Sequence, residues 1–273
     1  LSFATPSLTV RPWTGCWQQE ASSTATITPY GSTTLARRSH SGFIVYTANH
    51  FIEIRTHAEL SPPEEQVPSA VEMIAYFDGL SLSHGTCDWT QEGRRLVGMH
   101  TITHAMNPAR IGCCFERSMS CESELGGGML QDVSDQAGMT WKQLGGKGRT
   151  PLAGAWESIS EFGHWIYLVT QGHYAVMNVA DDLSQYKEGA EFTAEQKVEL
   201  FQKTGGNIGA RIETSDTFDH WPFVSQIPGY EIRKHETFRI TSIEKDRFSA
   251  SIPPHFPAGE WARMSGDDNE TSP

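Results

Sequence analysis

Much of what usually announces a chemistry is missing from this chain of 273 residues. It has no Gly-x-Ser-x-Gly nucleophile turn, no phosphate-binding loop and no dinucleotide fingerprint between a strand and a helix. The stretch "GGNIGARIE" has spaced glycines, but it follows a helical segment where that fingerprint needs a strand. None of the five cysteines (Cys16, Cys87, Cys113, Cys114, Cys121) stands in a Cys-x-x-Cys pair, which argues against a zinc framework. Free thiols are the simplest reading of the odd count, with one disulfide as the alternative. Neither a metal nor a cofactor is expected.

Basic charge is scarce as well. Twenty-one Lys and Arg face 33 Asp and Glu, a formal net charge of −12 that repels nucleic acid and anionic membrane. No run approaches the roughly 18 apolar residues of a membrane span. The chain starts at Leu1 without an initiator Met, and Asn269-Glu270-Thr271 forms a sequon in an acidic tail. Both hint at a processed leader, and a cytoplasmic and a secreted location stay open.

What is present is internal similarity. "PWTGCW" (12–17) and "PLAGAW" (151–156) share Pro-x-x-Gly-x-Trp. "IVYTANHF" (44–51) and "YLVTQGHY" (167–174) align Thr47, Asn49, His50 and Phe51 with Thr170, Gly172, His173 and Tyr174. "SAVEMIAYFDGLSLSHG" (69–85) and "TAEQKVELFQKTGGNIG" (193–209) space a hydroxyl residue, a Phe (Phe77, Phe201) and a Gly identically. Each opens on a capping box, Ser69 with Glu72 and Thr193 with Gln196. The offsets of 139, 123 and 124 keep one order, and the Ser/Thr-rich residues 18–41 account for the difference. The chain therefore holds one module twice.

Around each helix the segments alternate as strands do: "FIEIRTH", "RLVGMHTITHAM", "YEIRKHETFRITSI" and "RFSASI". This predicts an all-β protein of two tandem antiparallel β-barrels, each with one short helix. The N-terminal barrel covers 1–146 with its Gly-rich linker, the C-terminal barrel 147–264, and an acidic tail 265–273. "GMTWKQL" is read as the last strand of the first barrel, with the boundary near 145–150.

The Gly-x-Trp opening, a Gly-x-x-x-Tyr strand (Gly42 to Tyr46, Gly163 to Tyr167), the capped helix and the Gly after it resemble the lipocalin-like domain family. The resemblance covers most of 12–121 and 151–252 as two degenerate copies, and it implies a compact barrel with a short helix at one end. Tandem members of similar layout include pericyclases, such as Diels–Alderases, and hydratases of terpenoid or phenolic metabolites. Those hold the substrate at the junction of the two barrels. The copies diverge after the helix, where "CCFERSMSCESE" has no clear partner in "KHETFRITSIEKD".

Trp17 and Trp156 are read as closing the bottoms of their barrels against a late-strand Arg or aliphatic side chain. His50 and His173, matched in both copies, are read as serving the barrels. In "GMHTITHAM", alternation puts His100, Ile102 and His104 on one strand face, either lining a pocket as acid or base or forming a wet outer face. "DTFDHWPFVSQIPGYE", with Asp219, His220, Trp221, Phe223 and Tyr230, is read as a Pro-punctuated rim loop, either ligand-binding or an inter-barrel contact. Trp165 and Tyr167 extend the same wall, and Glu53, Arg55 and His57 read as a solvated charged face.

With the resemblance, these residues suggest a cofactor-free cyclase or isomerase of the pericyclase kind, Diels–Alder or hetero-Diels–Alder in type. Its substrate would be a hydrophobic terpenoid or polyketide in an apolar cavity at or near the junction. His100, His104 and His220 are the candidate acids and bases, and Tyr46, Trp165, Tyr167, Trp221, Phe223 and Tyr230 the candidate lining. A small hydrophobic molecule is the expected partner of a monomer or homodimer. The alternatives are a non-catalytic carrier, a hydratase or dehydratase, and a structural module with filled barrels.

Overall fold

The computed structural model describes residues 14–19, 23–27, 33–37, 41–56, 60–65, 67–92, 95–120, 129–132, 140–145, 150–160, 163–180, 186, 191–227, 235–251 and 259–265. The first copy contributes β1 (Gly15–Gln19), β2 (Ser23–Ile27), β3 (Thr33–Arg37), β4 (Ser41–Tyr46), β5 (His50–Thr56), α1 (Ala70–Gly79), β6 (Leu80–Glu92), β7 (Arg95–Ala105), β8 (Cys114–Ser120), β9 (Met129–Asp132) and β10 (Thr140–Gly145). β2 and β3 form a separate two-stranded sheet within the Ser/Thr-rich insertion, and the other eight strands close into a barrel.

The second copy contributes β11 (Gly154–Ser160), β12 (Gly163–Thr170), β13 (His173–Val179), α2 (Ala194–Lys203), β14 (Gly205–Glu213), β15 (Thr217–Ser225), β16 (Glu236–Ile243), β17 (Arg247–Ser251) and β18 (Gly259–Arg263). Its eight strands pair in sequence order, and β11 closes the barrel on β18. With the β2–β3 hairpin set aside, the two barrels have the same order and the same helix position. "GMTWKQL" supplies β10, and "GGNIGARIE" is itself a strand, β14.

Both capping boxes form. The Ser69 hydroxyl accepts from the Glu72 N–H while Glu72 Oε2 accepts from the Ser69 N–H at 2.7 Å. Thr193 and Gln196 make the same exchange. Each helix then buries one apolar side, with Tyr76 of α1 meeting Phe201 of α2 at a ring separation of 5.7 Å.

A bulge recurs at one place in both barrels and fixes which side chains face inward. His84 pairs with His104 but Gly85 with Ile102; Ile208 pairs with Val224 but Gly209 with Pro222. The extra residues are Thr103 and Phe223, and beyond them the strand's alternation changes phase. Only glycine fits opposite: a Cβ on Gly85 would stand 2.1 Å from the Thr101 carbonyl oxygen, and one on Gly209 2.2 Å from that of Trp221. Gly85→Ala is therefore expected to lose roughly 1–3 kcal/mol of stability through overpacking. Urea unfolding of that variant beside the parent checks it.

The register aligns the copies independently of sequence likeness. His100 corresponds to His220, Phe51 to Tyr174, Glu53 to Val176, Cys87 to Arg211 and Arg117 to Phe238. The Gly-x-x-x-Tyr match is out of register by two residues. Trp17 pairs with Ile44 and Trp156 with Tyr167, so Tyr167 corresponds to Ile44, not Tyr46.

The barrels join through an apolar cluster made by the outer faces of the same strands in each copy. Val45, Ile52, Ile54, Leu82 and Met106 of the first meet Ile166, Leu168, Ala175, Met177 and Ile208 of the second, with the two helices alongside. Separate clusters fill the interiors, around Trp17, Phe51 and Trp141 in the first barrel and Trp156, Tyr174 and Trp261 in the second. Arg263 on the last strand lies 4.1 Å over the Trp156 ring, and Trp156 Nε1 donates to the Leu152 carbonyl at 2.8 Å. No helix of the described residues is long and apolar enough to cross a membrane.

Candidate functional site

Polar groups are costly inside a barrel unless paired, so each interior network is informative. In the first barrel a chain of hydrogen bonds links four side chains, Glu53, Arg117, Tyr46 and His100. Arg117 Nη2 donates to Glu53 Oε1 at 2.9 Å, and its Nη1 to the Tyr46 hydroxyl at 2.8 Å. Tyr46 in turn donates to His100 Nε2 at 2.8 Å, and His100 Nδ1 donates to the Gly98 carbonyl at 2.9 Å. Burial, then the Arg117 charge, hold the His100 pKa down at about 3, so the ring stays neutral as this tautomer requires. Burial alone would raise the Glu53 pKa, but Arg117, Arg55 and Arg110 outweigh it and bring the carboxyl to about 2. The reading of Glu53 as part of a solvated face is thus corrected: it is fully buried, because its phase on β5 points inward. His57 lies outside the described residues.

The second barrel has a Tyr–His pair of its own and carries Val176 at the position of the Glu53 carboxylate. The Tyr167 hydroxyl lies 2.8 Å from His220 Nε2, and the His220 ring stacks on Tyr174 at 3.6 Å. Burial first, and then the Arg211 charge, lower the His220 pKa well below that of free imidazole. Burial raises the Tyr167 hydroxyl and nearby Arg211 lowers it, with a net result of about 12. Arg211 lies over the Phe218 ring at 4.5 Å, and its Nη1 donates to Glu213 at the rim. Val176 stands where the first barrel has Glu53, and Phe238 where it has Arg117.

A small chamber opens inside this second barrel. Tyr167, Val176, Phe218, His220, Phe238 and Phe248 line it, with Ala250 and Trp261 closing the wall. It holds about 20 Å³ of water-accessible space, room for one water molecule. On the outside, a cleft of about 520 Å³ runs past Gln171, Gly172, Arg211, Glu213 and Thr214. Arg211 borders that cleft while its guanidinium stacks on Phe218 of the chamber wall, so it stands between the two.

The candidate residues therefore separate into three places. His100 and Tyr46 lie inside the first barrel, and His220 and Tyr167 inside the second, with Trp165 packed against the second interior. Within the 219–230 stretch, residues 219–225 belong to strand β15 and not to a rim loop, so alternation sends His220, like Phe218 before it, inward and Trp221 outward. Trp221 stacks on His235 at 4.2 Å, and the bulged Phe223 packs on Phe43 of β4 at 5.7 Å, an inter-barrel contact. Tyr230 lies outside the described residues.

His104 does not share a face with His100 and Ile102, because the Thr103 bulge turns it outward. There it joins a row at the barrel junction. His50 stacks on His84 at 5.5 Å, His84 Nδ1 lies 3.2 Å from His104 Nδ1, and His104 meets His164 of β12 at 5.7 Å. Burial and the neighbouring imidazoles lower the His84 pKa well below the usual value, and burial with His164 lowers that of His104 to about 4. Among the described residues no three His, Cys, Asp or Glu side chains converge on a metal position. Cys16, Cys87, Cys113 and Cys114 are free thiols, and Cys121 lies outside the described residues.

Arg211, Tyr174, Phe218 and Phe238 were not singled out by the sequence. The available signal was an arginine two residues after Gly209 in an otherwise small and apolar strand, but the sequence does not mark which phase of that strand faces inward. Fold and sites together define a two-barrel β-protein with one buried Tyr–His pair per barrel. No protein family, curated protein or solved structure matches the chain.

Proposed function

We propose that the second barrel takes up a small hydrophobic molecule and rearranges it without a cofactor, as a cyclase or isomerase. One observation carries the reading: a hydrogen-bonded Tyr167–His220 pair set in a chamber wall that is otherwise aromatic and aliphatic. Such a wall holds a reactive conformer of an apolar substrate, which removes much of the entropic part of a cyclisation barrier. The pair supplies the polar element. A neutral imidazole accepts a proton, and a tyrosine that stays protonated at neutral pH hydrogen-bonds to an oxygen as charge develops on it.

The paired antiparallel barrels and their capped helices also fit the lipocalin-like resemblance, whose tandem members include pericyclases and hydratases. The ligand position proposed here is inside one barrel, beside the Tyr167–His220 pair, and entry there requires the chamber wall to open. Hydration or dehydration is the second reading, favoured by the water-sized space beside His220.

The test is incubation of the protein with the metabolites of its host, followed by mass-resolved chromatography. The expected result is a compound of unchanged mass and new retention, whose formation falls roughly 100-fold or more in Tyr167→Phe and His220→Phe. A product that differs by one water would select the hydratase reading. Recovery of a bound compound unchanged, with both variants retaining it, would make the protein a carrier and sink the catalytic proposal.

A further inference from the structure

We propose that the ligand of the second barrel is a carboxylic acid, whose carboxylate is held by the unoccupied edge of the Arg211 guanidinium. The proposal rests on the chamber assignment above and names the class of molecule it takes.

Arg211 is buried, with 3% of its surface exposed, yet neither its Nε nor its Nη2 makes a hydrogen bond. Nη1 is engaged by Glu213 at the rim, and the guanidinium also hydrogen-bonds the Tyr167 hydroxyl of the chamber wall. A buried donor left unsatisfied costs about 1–3 kcal/mol, and more when it is charged, so folds rarely keep one without a use. The two nitrogens concerned are not arbitrary. Nε–H and the adjacent Nη2–H point the same way from one edge of the planar group, and together they form a fork that matches the two oxygens of a carboxylate.

In the first barrel a buried carboxylate meets part of this need. There Arg117 gives Nη1 to Tyr46 and Nη2 to Glu53, a carboxylate with no solvent exposure. The position of Glu53 is held in the second barrel by Val176, and Val176 lines the chamber. One barrel thus carries its own carboxylate beside its Tyr–His pair. The other has an arginine, a Tyr–His pair and an apolar wall where the carboxylate would stand. An acid entering past Arg211 from the outer cleft would place its charged end on the fork and its body against Phe218 and Phe238. Because the chamber now admits about one water, entry requires these rings to move apart.

Benzoate and benzyl alcohol, which share a ring and differ in charge, test this by calorimetric titration at neutral pH. The parent protein is expected to bind benzoate at least tenfold more tightly than benzyl alcohol. Arg211→Met should abolish that preference while leaving benzyl alcohol binding within about threefold, and Arg211→Lys, which keeps the charge without the fork, should fall between. Equal binding of the two probes by the parent, a comparison that needs no variant, would overturn the carboxylate inference and leave the apolar chamber standing. A preference that survives in Arg211→Met would also overturn it. Binding of neither probe would count against the chamber itself.

Discussion

Glu53→Val should cost roughly 3–5 kcal/mol of stability, the effect of stranding a buried charge. Arg117 has no solvent exposure and gives Nη2 to Glu53, so removing the carboxylate leaves a buried cation without its counter-ion. Arg55 and Arg110 act on the same carboxylate and add to the repulsion once it is gone. The second barrel shows what a neutral solution looks like, with Val176 and Phe238 at the corresponding positions. The double variant Glu53→Val with Arg117→Phe should therefore recover most of the loss, because apolar replacement of a whole buried pair is often neutral or stabilising. Urea unfolding at neutral pH measures both. A single variant that loses less than about 1 kcal/mol would show that the pair is more hydrated than its burial indicates.

Acid is expected to unfold the protein well above the pH at which carboxylates titrate. His84, His100, His104 and His220 all have folded-state pKa values below that of a free imidazole, each chiefly through burial. A group depressed in this way binds fewer protons folded than unfolded. Its contribution is complete above the unfolded value of about 6.5 and is lost as the pH falls towards the folded value. The window runs from 6.5 down to about 4 for His104 and about 3 for His100. Within it each histidine contributes up to about 1.4 kcal/mol per pH unit.

At the junction, His84 and His104 correspond to Ile208 and Val224 on the symmetric edge, and they face His50, His164 and, beyond His164, Glu157. Substituting His84→Ile together with His104→Val should flatten the loss between pH 6.5 and 4 while the interior pairs still impose theirs. Equal unfolding free energies at pH 7 and pH 5 in the parent would contradict this account.

The fold was legible because its signals are local. A capping box, a glycine after a helix and a Trp near the start of a first strand each depend on a few neighbouring residues. The repeat of such signals made the two barrels visible. The sites were less legible, because they depend on phase. One bulged residue, Thr103, moves His104 from the first interior to the junction, and alternation in "GMHTITHAM" carries no trace of it. The prolines in "DTFDHWPFVSQIPGYE" suggested a loop, whereas Pro222 sits opposite Gly209 at the bulge, where a strand tolerates it. Read as a loop, that stretch hid the equivalence of His220 with His100. Arg211 and Glu53 were missed for a related reason: charged residues in alternating strands read as solvent-facing until barrel closure shows which phase is inside.

That the second barrel, and not the first or the junction, receives the ligand is most directly tested by the imidazole nitrogen resonances of ¹⁵N-histidine-labelled protein during titration with benzyl alcohol. The account predicts that the His220 resonances move as the chamber fills, while those of His100 stay where they are. Movement of His100 with His220 unchanged, or of His84, His104 and His164 alone, would place the ligand elsewhere and contradict it.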